Sequence, residues 1–211
     1  TGLGDIGMTP NQRETGTGID GLGSGNDIYD TIVSMDRESA LNAYDNLSGE
    51  IHAGLKGALL TNSRYVRAAV NQHLDSQSNG LLTQRPDTAN NLWSSAWGHD
   101  GRLKGDDNAY RADNNSGGVL IGFDNPGNDD SLFGVAVGYE QTKVNVSDVR
   151  SSNATVDAYH FMTYGNTKLG PIDLRMGAGY AYLDVDTTRD IWVNNLQSIN
   201  KADYHGSQLQ A

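Results

Sequence analysis

The stretch Ile172-Asp173-Leu174-Arg175-Met176-Gly177-Ala178-Gly179-Tyr180-Ala181-Tyr182 decides the fold class. Its large apolar residues fall on even positions and its small or charged residues mostly on odd ones, the period of two that a β-strand lays out as two faces. The alternation recurs where Phe133, Val135, Val137 and Tyr139 interleave with Gly134, Ala136, Gly138 and Glu140. It recurs again where Val119, Ile121 and Phe123 interleave with Gly118, Leu120, Gly122 and Asp124. In a soluble sandwich the large face turns to the core and the other to water, but a water-facing strand face is rarely so rich in glycine. In a barrel set in lipid the large face meets hydrocarbon, and small inner residues make room for whatever fills the bore. On this reading Gly134, Gly138, Glu140, Asp157, Asp173, Arg175, Gly177 and Gly179 face the lumen. Trp93, Trp97, Tyr139, Tyr164, Tyr180, Tyr182 and Trp192 stand near strand ends, where an interfacial girdle is expected.

Composition agrees with a one-sided apolar surface. Glycine is 26 of 211 residues against proline at 4, and hydrophobic residues make up 36%, low for a water-soluble core. The formal charge of −11 argues against nucleic acid as a partner, because phosphate binding needs a basic surface. Cysteine is absent, so disulfides and thiolate metal sites are excluded. No apolar run approaches the ~18 residues of a transmembrane helix.

The connections sharpen the reading. Six strands are expected, centred near Ala96, Ile121, Val137, Phe161, Ala178 and Ser207. Between them Leu103 to Ser116 is long, Asn125 to Asp130 short, Ser147 to Asn153 longer, Asn166 to Pro171 short, and Asp184 to Asp203 longest. Alternating long and short connections fit an outer-membrane barrel, with long loops outside and tight turns at the periplasm. The first strand then rises outward, so the segment before it ends at the periplasmic side.

That segment is helical. Residues 1–25 read as a glycine-rich linker, and 26–85 as a helical region, with Asp27, Asp36 and Ser48 as N-caps. A helix over about 50–78 carries Ile51, Leu55, Leu59, Tyr65, Val66, Ala69 and Val70 at helical spacing. At 1.5 Å per residue it is long enough to cross a bilayer, and its polar content keeps it off lipid, which places it in the bore. Gly54 and Gly57 inside it point to close packing. Glu50, His52, Lys56, Arg64 and Arg67 are expected to meet lumen charges and hold the helix as a plug. Residues 90–211 then form the barrel portion.

Three parts of this sequence resemble the pre-barrel region of classical monomeric autotransporters (type V secretion), especially those carrying subtilisin-like protease passengers. They are Thr9-Pro10-Asn11-Gln12, Gly25-Asn26-Asp27-Ile28-Tyr29 and Leu47-Ser48-Gly49-Glu50-Ile51-His52-Ala53. Trp93 to Gly98, Gly117 to Gly122, Gly134 to Tyr139, Asp157 to Gly165, Gly177 to Tyr180, and Tyr204, Gly206 and Gln208 resemble barrel strands of the same family. The resemblance implies a twelve-stranded antiparallel barrel in the bacterial outer membrane, with an N-terminal helix in its lumen. It further implies export of the protein's own N-terminal passenger to the surface, and a monomeric barrel among lipid and lipopolysaccharide. Dependence on the barrel-assembly machinery and periplasmic chaperones is implied with it. About six of the twelve strands are expected here, and six cannot close, since ~8 is the practical minimum; the remaining strands are expected beyond Ala211.

No residues point to catalysis. GxSxG and HExxH are absent, and Gly16-Thr17-Gly18-Ile19-Asp20-Gly21 matches GxGxxG without a preceding strand. Asp184, Asp186 and Asp190 lack the glycine and closing glutamate of a calcium loop and read as a solvated acidic segment. No metal or cofactor is expected. Some autotransporters cut their passenger at an Asn-Asn pair on the pore helix; the pairs here are Asn90-Asn91, Asn114-Asn115 and Asn194-Asn195, none on it. The alternative to a translocator is a soluble all-β adhesin-like passenger fragment, whose glycine-rich faces would meet water.

Overall fold

The computed structural model describes residues 2–78, 92–105, 111–126, 131–146, 152–193 and 196–211. Among the described residues four α-helices precede six strands: α1 Pro10–Asp20, α2 Asp27–Val33, α3 Arg37–Leu47, α4 Glu50–Ser78, then β1 Leu92–Leu103, β2 Ala112–Pro126, β3 Ser131–Val146, β4 Ser152–Leu169, β5 Ile172–Val193 and β6 Leu196–Gln210. The strands form one antiparallel sheet in chain order, each hydrogen-bonded to the next.

The sheet is curved around α4, and the two faces divide as the alternation requires. Ile121, Val137 and Phe161 are direct neighbours on β2, β3 and β4, and all are about half exposed on the outer face. One step along the strands Tyr139, Tyr159 and Tyr182 form a continuous outward row over β3, β4 and β5. Beyond that row the outer face becomes Gln141, Asp157 and Asp184, in register with one another. An apolar band ending in a line of tyrosines and then charge is the profile of a strand leaving hydrocarbon through the headgroup layer. Tyr139, Tyr180 and Tyr182 thus belong to the outward surface, but Trp93, Trp97 and Tyr164 turn inward, contrary to the girdle expectation. Their parity, not their nearness to a strand end, decides the side.

Asp157 is a second correction. It was expected in the lumen, but it sits on the outward parity of β4 and accepts a hydrogen bond from the Tyr139 hydroxyl. The third concerns Asp184 to Asp203, expected as the longest loop. Most of it is strand: β5 is 22 residues long and pairs with β6 as far as Val193 and Leu196. Since ~9–11 tilted residues cross a bilayer, about half of β5 projects past the tyrosine row. There Asp184 pairs with His205 at 3.1 Å.

Residues expected as a linker instead fold. Thr9 caps α1 through its hydroxyl, Pro10 takes the first helical position, and the Gln12 amide oxygen accepts from the Thr9 N–H, a complete capping box. Gly16 lets α1 press on the 3-10 turn Leu3–Ile6, since a Cβ there would meet Gly4 backbone atoms at 2.9 Å. Asn26, not Asp27, caps α2, and Asp36 caps α3 through the Ser39 N–H, which holds its carboxyl below the usual aspartate range. Ser48 closes α3 rather than opening α4, its hydroxyl donating to the Asp45 carbonyl at 2.9 Å. Gly54 and Gly57 are not crowded by the described residues: a Cβ on Gly57 would have nothing within 4 Å.

Candidate pore lumen and its plug

The inner face of the sheet repeats one pairing. Five of its large inward side chains stand directly opposite a glycine on an adjoining strand: Trp93 opposite Gly122, Trp97 opposite Gly118, Leu120 opposite Gly138, Tyr164 opposite Gly134 and Gly177, Met162 opposite Gly179. A Cβ at Gly122 or Gly134 would overlap the Trp93 or Tyr164 ring, and one at Gly138 would meet Leu120 Cδ1 at 2.7 Å. The inward glycines therefore make room first for neighbouring strands, whose side chains lie across them and reach α4. Gly134→Ala should cost about 1–3 kcal/mol by displacing Tyr164, visible as a lowered urea midpoint of the purified protein in detergent.

α4 is held by two apolar clusters with a polar layer between them. Ile51, Leu55 and Ala58 pack on Ala112, Val144, Val156 and Leu183 toward the long-loop end. Val66, Ala69, Val70 and Leu74 pack on Leu120, Ala136, Met162 and Tyr164 toward the tight-turn end. Between them Asn62 donates to Thr142 Oγ1 at 2.8 Å, and Thr142 in turn donates to Glu140 Oε1 at 3.2 Å. Trp97 Nε1 donates to Glu140 Oε2 at 3.1 Å. Slipping α4 by a turn would set Asn62 against apolar side chains, so this contact favours one axial register.

A second network ties the far end of the helix. His73 Nε2 lies 2.5 Å from Asp124 Oδ2, with its ring stacked on Trp93 at 4.3 Å between centroids. Tyr164 donates to the other Asp124 oxygen and accepts from Trp93 Nε1 at 2.5 Å. Asp124 and Tyr164 are both buried. Nearby, Arg175 bridges Asp75 of α4 at 2.6 Å and Asp173 at 3.0 Å.

The residues expected to plug the bore are placed unevenly. His52 Nδ1 lies 3.2 Å from the Tyr204 hydroxyl. Arg64 lies over the neighbouring Tyr65 ring and hydrogen-bonds its hydroxyl at 3.2 Å. Arg67 shares a cavity of about 340 Å³ with Arg175, and among the described residues neither it nor Lys56 makes an ion pair. The side chain of Glu50 lies outside the described residues. Among the described residues the expected pairing of Arg64, Arg67 and Lys56 with Glu140 and Asp173 does not form; Asn62, His73, Asp75 and Gln77, with His52 at the other end, are helix residues that meet polar wall groups. Asp124 and Trp93 could have been found from their inward parity, but which helix residue faces them depends on the axial position of α4.

The match to known proteins decides what this arrangement is. A family model described as "Autotransporter beta-domain" matches residues 92–211, all six strands. The chain belongs to the autotransporter β-domain family. Two relatives, both named "Extracellular serine protease" from Serratia marcescens, are 31% identical over 185 residues. Each match takes in 86% of this chain but 17% of the relative, so the chain spans about a sixth of the length of the curated relatives it matches. An autotransporter β-domain is a translocator for passenger export and not itself an enzyme, which removes the soluble adhesin alternative. Of the Asn-Asn pairs, Asn114-Asn115 lies on β2 of this autotransporter domain, and the other two fall outside the described residues.

Proposed function

We propose that this autotransporter domain sits in the bacterial outer membrane with α4 as the plug of its bore, after exporting an N-terminal passenger that acts as a serine protease. The observation that carries the reading is the two-sided sheet: a half-exposed apolar band bounded by Tyr139, Tyr159 and Tyr182 outside, and a long helix packed inside through two apolar clusters. The serine protease passenger rests on the names of the two Serratia relatives. The six-strand sheet has β1 and β6 as its edges, and an open edge in lipid leaves backbone groups unpaired at several kcal/mol each. Further strands close the barrel on this reading, as a monomer among lipid and lipopolysaccharide. Insertion calls on the barrel-assembly machinery and periplasmic chaperones, which suit a chain whose half-made edges are exposed. Release of the passenger does not use an Asn-Asn pair on the helix, because α4 has none.

The full protein should migrate faster unheated than boiled on a gel, and its passenger should be shaved from intact cells by added protease. A protein that dissolves without detergent and shows no heat shift would end the proposal. Plugging is tested at Arg175. Arg175→Glu sets it against Asp75 and should raise the fraction of conducting pores in planar bilayers, by up to about fivefold for a pair this exposed. Adding Asp75→Arg should return conductance toward the starting level. Conductance unmoved by the single exchange argues against the helix as plug.

A further inference from the structure

The helices before the pore helix are not a loose tether. Ile19 of α1, Ile32 of α2 and Ala40, Ala43 and Tyr44 of α3 form one apolar core with Ile191 and Val193 of β5. Tyr44 is fully buried, and its hydroxyl donates to the Leu3 carbonyl at 2.8 Å. Burial keeps its phenol above the ordinary tyrosine range, so it stays a donor. The part of β5 that enters this core lies beyond the tyrosine row, on the stretch that projects from the apolar band.

The contact that joins helices to strand is Arg189. One guanidinium nitrogen, Nη2, donates toward the carbonyls of Asn46, Leu47 and Ser48, at 3.4, 3.1 and 2.9 Å. These are the closing carbonyls of α3, which carries no basic residue in its own last turn. A cation there satisfies groups that a helix end leaves unpaired and opposes the negative end of its dipole. Gly49 and then Glu50, the first residue of α4, follow at once. Arg189 therefore grips the chain at the elbow between the outer helices and the pore helix.

We propose that residues 2–47 fold as a stopper on the projecting end of β5, and that Arg189 is the positioning residue that fixes how far the chain is drawn through the pore. The inference rests on the translocator reading, which puts this end of β5 outside the cell. During export α1–α3 pass through the bore unfolded, and their core is completed only when Ile191 and Val193 are reached. Once assembled, the helical unit is too wide to re-enter a bore filled by one helix, and the Arg189 contact sets the elbow at a fixed height. With the elbow fixed, Asn62 meets Thr142 and His73 meets Asp124 without slip.

The test uses purified full protein in detergent micelles, with a cysteine placed at buried Ala43 or buried Ala58 and a small maleimide as probe. Ala43→Cys reads undocking of the stopper, and Ala58→Cys reads unseating of α4. Arg189→Ala should speed labelling at both sites about tenfold, the size expected for losing a charge-assisted hydrogen bond. Arg189→Lys, which keeps the charge, should speed it less. Ile191→Ala, which leaves Arg189 in place, should raise labelling at Ala43→Cys and with it at Ala58→Cys. Labelling at Ala58→Cys that stays flat while Ala43→Cys rises would overturn the proposal, as would no change at either site. A passenger absent from the surface of cells making the unaltered protein would instead overturn the translocator reading, whatever the labelling shows.

Discussion

Tyr164→Ala should destabilise the domain by about 3–5 kcal/mol, the range for deleting a buried aromatic ring. The ring is almost fully buried and lies across Gly134, and its register partner on the other side is also a glycine, Gly177. Neither glycine has a side chain with which to fill the space. The deletion also removes the donor to Asp124 and the acceptor for Trp93 Nε1. Tyr164→Phe keeps the ring and should cost about 1–3 kcal/mol, the penalty for buried polar groups left without one partner. Equilibrium urea unfolding in detergent, followed by tryptophan fluorescence, separates the two, because Trp93 touches the ring at its edge. A Tyr164→Ala loss below that of Tyr164→Phe would mean that the inward aromatic does not bear on the wall. The comparison distinguishes packing from hydrogen bonding at a single position.

Val137→Arg should cost about 1–4 kcal/mol, since a cation on the lipid face costs ~2–4 kcal/mol at the bilayer midplane and ~0–1 near the interface. Val137 lies between Ile121 and Phe161 on the outer surface, one same-face step inside the tyrosine row at Tyr139. The matched control is Asn145→Arg, on the same face of β3 but beyond the tyrosine row, which should be close to neutral. The contrast between the two positions is the informative quantity, since both are on one strand and face one way. If this surface met water, both substitutions would fall within about 0.5 kcal/mol of zero. Equal small effects would therefore dismiss a transmembrane sheet.

Much of this was legible because a strand has only two faces. Once Val119, Ile121 and Phe123 were set outward, Leu120, Gly122 and Asp124 had to turn inward. The same parity places Asp157, since Tyr159 and Phe161 outward put Asp157 outward too, against its expected place in the lumen. Nearness to a strand end does not place Trp93 and Trp97, and their glycine partners Gly122 and Gly118 on β2 become visible only with the register known. In α1 the glycines and threonines concealed a helix whose start was signalled by Thr9, Pro10 and Gln12. Its formation depends on Gly16 pressed to the turn before it and on Ile19 joining a core shared with α3 and β5, and neither contact is local.

The amino-acid sequence by itself determined the number and order of these strands, the two faces of their alternating stretches and the length of the pore helix, because those follow from periods of two and of 3.6 along the chain. Only the tertiary structure decided which groups meet across the bore. Asn62 with Thr142, Asp75 with Arg175 and Arg189 with the end of α3 join residues far apart in the chain. Their meeting depends on the axial height and rotation of one helix against a curved sheet, two coordinates that no local pattern encodes.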